Sequence, residues 1–232
     1  MRILQEPAYI LHTRPFRDTS LLLDVMTQHH GRISVLAKGI RKQHSKTAGL
    51  LQAFIPLSLS YTGKASLKSL IQVENNGVPL CFSGFHLYSA LYINELLYKV
   101  LPQDDPDEPL YYLYETSLQN LLKMELEAAL RLFEFRLLNH LGFGQSYQQD
   151  ESGQALQQEA YYHLQPEKGW GRVGAIHHPD LYLGEHLLAI GKEDFSGETL
   201  KIAKKIARTL IQNVISKPIM ARKLFLRDQH AK

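Results

Sequence analysis

Residues 20–39 read SLLLDVMTQHHGRISVLAKG, and the fold turns on this stretch. Ser20 to Thr27 is a run of β-compatible residues, and Gly31 opens a second run. In that second run Ile33, Val35 and Ala37 alternate with Arg32, Ser34 and Lys38. The alternation predicts a strand with one buried face and one polar, basic face. Upstream, Tyr9 to Thr13 reads as a further strand. Downstream, Gly39 to Thr47 (GIRKQHSKT) is a polar, basic stretch that suits a loop. Phe54 to Gly63 (FIPLSLSYTG) and Leu67 to Glu74 (LKSLIQVE) supply a fourth and a fifth strand, joined through the turn at Gly63–Ser66. Five short strands in so few residues leave no room for crossover helices, so a small closed Greek-key barrel of the OB type is expected. An SH3-like barrel is the competitor that strand counting cannot separate from it.

From residue 83 the period becomes helical. Leu87, Leu91, Leu97 and Leu101 recur near helical spacing behind a capping Ser83. Pro102 and the acidic run DDPDEP close that helix and open the next. Further helices are expected over 110–123 and 125–141, the latter stopped by Gly142 with Phe133, Leu137, Leu138 and Leu141 on its apolar face. Residues 142–180 break the pattern and suit irregular chain or a small hairpin. Helical signals return at 184–191 and 197–216. In the last of these Leu200, Ala203, Ala207, Leu210, Ile211 and Val214 oppose Lys201, Lys204, Lys205 and Arg208. Pro218 can start a short final helix. The expected class is α+β: a five-stranded OB-fold barrel over 1–80, then an α-helical domain over 81–232 with an irregular insertion at about 142–180.

The 232 residues are 44% hydrophobic and 21% charged, ordinary globular composition that excludes disordered and collagen-like classes. The net charge of +3 hides an asymmetry. Residues 1–80 carry 10 Lys+Arg against 4 Asp+Glu, residues 81–170 carry 5 against 13, and residues 171–232 carry 11 against 6. Two basic ends around an acidic middle point to a polyanionic partner. A single cysteine, Cys81, excludes an intramolecular disulfide and a multi-cysteine zinc site, and it suits a reducing compartment. The N-terminal MRILQEPAYILHTRPF lacks a secretory apolar core, and no stretch reaches the length of a membrane span, so a cytoplasmic protein without a membrane partner is expected.

Catalytic chemistry finds little support. The pairs His29–His30 and His177–His178 are neighbours in sequence, and neighbours on a helix or strand point apart, which disfavours joint metal ligation. Asp104, Asp105, Asp107 and Glu108 lack the spacing of a calcium loop and are explained by capping. No Walker loop, GxSxG or HExxH is present. The basic residues carry more weight. Arg14, Arg17, Arg32, Lys38, Arg41, Lys42, Lys46, Lys64 and Lys68 are interleaved with Phe16, Phe54 and Tyr61. Cations on a barrel can follow a phosphate backbone. Phe54 and Tyr61 read as core residues.

The segments YILHTRPFRDTSLLLDVMTQHHGRISVLAKGIRK, LQAFIPLSLSYTGK, LYSALYINELLYKVLP and RLFEFRLLNHLGFG, taken in order, resemble the bacterial RecO family of recombination mediators. The resemblance runs from about residue 8 to 225. It implies an N-terminal OB-fold, a helical domain behind it, and no enzymatic turnover. It also implies binding to single- and double-stranded DNA, annealing of complementary strands, loading of recombinase onto DNA coated by single-strand-binding protein, and a nucleoid-associated location. RecR and the acidic C-terminal tail of single-strand-binding protein are the implied protein partners. Many members carry a four-cysteine zinc motif in the second domain. With only Cys81, this chain is similar to the zinc-free branch, and neither a metal nor another cofactor is expected.

On that reading the DNA contacts fall to Arg14, Arg17, Arg32, Lys38, Arg41, Lys42 and Lys46 on the barrel. Lys217, Arg222, Lys223 and Arg227 form an auxiliary face near the C-terminus. The partner tail needs an apolar pocket rimmed by cations, for which Arg131, Lys201, Lys204 and Arg208 are the candidates. A barrel does not by itself choose its nucleic acid, so an RNA-binding protein of translation or RNA processing is the alternative. A nuclease or hydrolase using Asp24, His29 or the acidic run is a third reading.

Overall fold

The computed structural model describes residues 2–40, 47–174, 181–215 and 217–224. It falls into two compact units, the first formed by residues 1–122 and 219–232, the second by 123–218.

In the first unit, strands β1 (Arg2–Phe16), β2 (Ser20–Thr27), β3 (Gly31–Ala37), β4 (Leu57–Thr62) and β5 (Leu67–Asn75) close into a barrel in the order β1-β2-β3-β5-β4. Strands β3 and β5 run parallel, with Ser34 opposite Leu67, and the other pairs are antiparallel. This order is that of an OB-type barrel. The first strand is much longer than its sequence signal. Its early residues pair with β4 and its later ones with β2, so one strand closes the barrel on both sides. Register shifts between Ile3 and Glu6 and between Ile10 and His12 bend it for that task, and they also break the alternation that would have disclosed its length. Ile10, Leu23, Val25, Ile33, Val35, Leu57, Leu59, Tyr61 and Val73 fill the interior. Phe54 is buried as well, edge-on to Phe82.

Helices α1 (Gly84–Val100) and α2 (Glu108–Lys123) belong to this same unit. Ser83 stands at the N-cap of α1, but its side chain makes no capping bond. Buried Asn94 in α1 donates to the carbonyls of Ile10 and Leu11 at 3.3 and 3.2 Å and accepts from the Tyr114 hydroxyl at 2.7 Å. One amide thus ties barrel, α1 and α2 together. Tyr9 packs against Tyr111 and Tyr114 and donates to Glu115 at 2.9 Å. Burial and that carboxylate push its phenol well above the ordinary range.

In the second unit, α3 (Leu126–His140) is capped by the Glu125 carboxylate, which accepts from the amides of Glu127 and Ala128 at 3.1 and 2.7 Å. It packs on α5 (Gly197–Val214). In the chain between α3 and α5 come a three-stranded sheet, β6 (Tyr161–Gln165), β7 (Gly169–Val173) and β8 (Leu181–Leu183) in the order β7-β6-β8, and the short α4 (Gly184–Gly191). The segment expected to be irregular or a small hairpin contains the β6–β7 hairpin. GWGRVG (169–174) spells G-x-G-x-x-G, yet it forms a hairpin strand rather than the strand-to-helix turn that cradles a dinucleotide, so the pattern has no such meaning here. Trp170 is fully buried between Tyr147 and Tyr182, and the ring chain continues from Tyr147 to Phe135 and Phe195. Aromatic packing holds this segment to α3 and the chain before α5. Among the described residues no helix is long and apolar enough to cross a membrane.

Candidate nucleic-acid interface

The barrel is electrically polarised along β2. Strand pairing sets Arg14 opposite Leu22, Leu22 opposite Leu36, and Leu21 opposite Ala37. Arg14, the β1–β2 turn that holds Arg17 and the acidic Asp18, and Lys38 just beyond β3 therefore share one end of the barrel; all four side chains are exposed and the balance is positive. The guanidinium of Arg17 lies over the Phe16 ring at 5.4 Å. Arg41, Lys42 and Lys46, expected beside them, lie outside the described residues, as do Arg227 and the His177–His178 pair.

The other end, eight residues or about 26 Å away along β2, is acidic. Asp104, Asp105 and Glu108 are exposed there, and Asp107 caps α2 by accepting from the Leu110 amide at 3.0 Å. Gly31 permits this arrangement. With a φ of +67° it takes the left-handed turn, and a Cβ on it would lie 1.8 Å from the Asp105 carbonyl oxygen. The adjacent His29 and His30 do not point apart. They sit on a turn, and both Nδ1 atoms reach the same oxygen of buried Glu6, at 3.3 and 3.2 Å. Among the described residues no group of three His, Cys, Asp or Glu side chains is arranged to hold a metal ion.

Two expected cations are placed differently from the sequence reading. The polar face of β3 is covered, not open. Arg32 is 12% exposed, donates to the Leu101 carbonyl at 3.0 Å, lies 3.4 Å from Asp24, and stacks on Tyr98 at 5.2 Å. The chain after α1 lies along β3, with Gln103 donating to Ser34 at 2.8 Å and the Asp104 amide donating to the Arg32 carbonyl at 2.9 Å. Arg32 is thus an internal fastener, not part of an open cationic face. Lys68 is likewise buried and bonded to Asp104.

Near the C-terminus, Lys217 and Lys223 are exposed. Arg222 stacks over Tyr92 of α1, its Cζ 5.4 Å from the ring centroid. In the second unit Lys201 is 76% exposed and paired with Glu198 at 2.8 Å, Lys204 is paired with Glu127 of α3 at 2.6 Å, and Arg208 is exposed. Arg131, expected at a pocket rim, is instead 6% exposed, with its Nε 2.7 Å from Glu134 one helical turn away. A buried ion pair is part of the α3 core, so Arg131 is not a rim cation.

Arg17 offers a test that separates charge from fold. Its φ is +52°, a left-handed conformation that costs a side-chain-bearing residue about 1–2 kcal/mol. Arg17→Gly should leave stability within about 1 kcal/mol of the parent, because relief of strain offsets the freer unfolded chain. It should still weaken DNA binding and reduce the salt slope by about one. Unchanged DNA affinity in a titration over a salt series would remove Arg17 from the interface.

The exposed cations at one barrel end, with acids at the other, can bind a phosphate backbone in one orientation and with little sequence preference. The positioning of α1 on the barrel, through one Asn on an otherwise apolar face, gave no sequence signal, nor did Glu95, a lone acid in α1 whose partners come from residues 220–221.

Residues 1–76 match the family model described as Recombination protein O N terminal, and residues 81–223 match Recombination protein O C terminal. The model boundary falls before α1, whereas the compact units divide after α2, because α1 and α2 pack with the barrel. The chain is 40% identical over 230 residues to the DNA repair protein RecO of Cellvibrio japonicus, covering 97% of this chain and 98% of that one. It is 38% identical over 226 residues to DNA repair protein RecO of Coxiella burnetii, covering 96% and 98%. With DNA repair protein RecO of Pseudoalteromonas atlantica it shares 38% identity over 220 residues, covering 94% and 92%.

Proposed function

Because the chain belongs to the RecO family of DNA repair proteins, we propose that it acts without enzymatic turnover. It binds single- and double-stranded DNA, anneals complementary strands, and helps load recombinase onto DNA coated by single-strand-binding protein. RecR and the C-terminal tail of single-strand-binding protein are its protein partners in this role. The observation that carries the reading is the exposed set Arg14, Arg17 and Lys38 at one barrel end, with Asp104, Asp105 and Glu108 at the other. Annealing requires two polyanions to approach, and phosphate neutralisation with counterion release lowers that barrier. The acidic end repels a polyanion, so strands are steered to the β1–β2 turn and Lys38.

Arg14→Glu with Lys38→Glu should weaken single-stranded DNA binding and reduce the slope of log affinity against log salt by about two, with the melting temperature unchanged. Equal binding by the parent and the double variant would overturn the assignment.

The tail site rests on the α3–α5 pairing, where Lys201, Lys204 and Arg208 present charge beside apolar helix. Carboxylates of an acidic tail would compete with Glu198 and Glu127 for Lys201 and Lys204. Lys201→Glu with Arg208→Glu should abolish binding of a tail peptide and spare DNA binding. Normal peptide binding by that variant would place the tail elsewhere.

A further inference from the structure

Strand β1 carries one residue more than its partner β2 can match. Ile10 lies opposite Val25 and His12 opposite Asp24, so Leu11 is an extra residue, a β-bulge. The bulge reverses the alternation of faces. Ile10 points into the barrel core, and without the extra residue His12 and Arg14 would follow it inward. Instead both lie on the outward face, in the rows of Asp24 and Leu22, and both are exposed. Two residues of extended chain set them about 7 Å apart.

Helix α1 holds this arrangement from two positions one turn apart. Asn94 donates to the carbonyls of Ile10 and Leu11, the two that flank the bulge, at 3.3 and 3.2 Å. Four residues on, the Tyr98 ring stacks on His12, with centroids 5.3 Å apart and planes 28° from parallel. The imidazole is therefore braced through its face, while the residue stays exposed. Around it the fixed charges are already matched. On β2, buried Asp24 accepts from the Ser34 hydroxyl at 2.8 Å and lies 3.4 Å from the Arg32 guanidinium of β3, which itself lies 5.2 Å from the centre of the Tyr98 ring. On α1, Lys99 next to Tyr98 is paired with Glu95 at 3.0 Å. The next charged residue along β1 is Arg14.

We propose that His12 is a further phosphate contact of the basic barrel end, engaged through its own protonation, so that DNA is held more tightly in mildly acidic than in mildly alkaline solution. An imidazole ordinarily titrates near pH ~6.5, and the protonated ring has two N–H donors. Those donors lie at the ring edge, so the Tyr98 stack does not compete with a phosphate for them. A strand held at the β1–β2 turn and Arg14 meets His12 next, on the same face of β1. This rests on the DNA-binding reading above and goes beyond it by adding a residue to the contact set and a pH response to the site.

The test uses the full chain and a labelled oligothymidylate, titrated over a salt series at about pH 6 and about pH 8, on either side of the ordinary imidazole value. Lowering the pH should raise the parent's affinity at least about threefold and steepen its slope of log affinity against log salt by about 0.7, the share of one added phosphate contact on a single strand. His12→Gln should lose that gain at about pH 6 and match the parent at about pH 8. His12→Lys should bind at about pH 8 as tightly as the parent does at about pH 6. The remaining histidines titrate alike in all three proteins, so the difference between parent and variant isolates His12. Melting temperatures should agree, because the residue is exposed; if His12→Gln does not fold, His12→Lys decides. His12→Gln with the parent's full pH response overturns the inference, as does His12→Lys binding no more tightly than the parent at about pH 8. If the parent fails to bind at low salt at either pH, the wider DNA-binding reading falls; if it binds and both variants follow it at each pH, only the role of His12 falls.

Discussion

Arg131→Ala should destabilise the second unit by about 3–5 kcal/mol, among the largest single-residue effects in the chain. The substitution strips Glu134, 1% exposed, of the guanidinium 2.7 Å away while the carboxylate stays in the α3 core. A paired charge in such a place adds little net stability, because desolvation offsets the attraction, but taking the guanidinium away from a buried carboxylate is costly. The companion variant decides the mechanism. Replacing both residues together, Arg131→Met with Glu134→Leu, should restore most of the loss, since apolar side chains of similar volume suit the same space. Thermal or urea unfolding of the two variants measures this. If Arg131→Ala is as stable as the parent and only tail-peptide binding is lost, Arg131 is a ligand-contacting cation after all, and the burial argument fails.

Trp170→Ala should cost a similar amount, about 3–5 kcal/mol, through loss of a fully buried indole from the ring chain Phe135–Tyr147–Trp170–Tyr182. With one cysteine in the sequence, no thiolate cluster can hold the β6–β7 hairpin. The indole Nε1 has no hydrogen-bond partner among the described residues, so Trp170→Phe loses volume but removes a buried donor, and it should cost much less than Trp170→Ala. Near-ultraviolet circular dichroism of the aromatic cluster and unfolding midpoints would report the difference. Equal stability of all three proteins would mean that the hairpin is held by something other than these rings.

The difference between residues legible in the sequence and residues that are not is a difference in range. The alternation of Ile33, Val35 and Ala37 marked β3 correctly because an inward face imposes a period of two on the strand itself. The helices declared themselves in the same local way, through apolar spacing and, for α3, the stop at Gly142. What alternation cannot report is which surface covers the other face. Arg32 and Ser34 looked like an open polar face, yet residues 101–104, some seventy positions later, lie over them and take their hydrogen-bonding groups. The same holds for Lys68, bonded to Asp104 from a distant segment, and for Arg131, whose burial depends on what packs around α3. The length of β1 was hidden for another reason: its two register shifts interrupt the period. Of the barrel cations, Arg14, Arg17 and Lys38 sit at a strand end or turn, and they are exposed.

We propose that the basic end of the barrel brings complementary DNA strands together. The most direct measurement is the annealing rate of two complementary oligonucleotides, bare and coated with single-strand-binding protein, catalysed by the parent chain and by Arg14→Glu with Lys38→Glu. The parent should accelerate annealing strongly at low salt and progressively less as salt rises, and the variant should lose most of the acceleration while melting at the same temperature. A parent chain that leaves the annealing rate at its uncatalysed value, or a variant that accelerates it as well as the parent, would contradict the account.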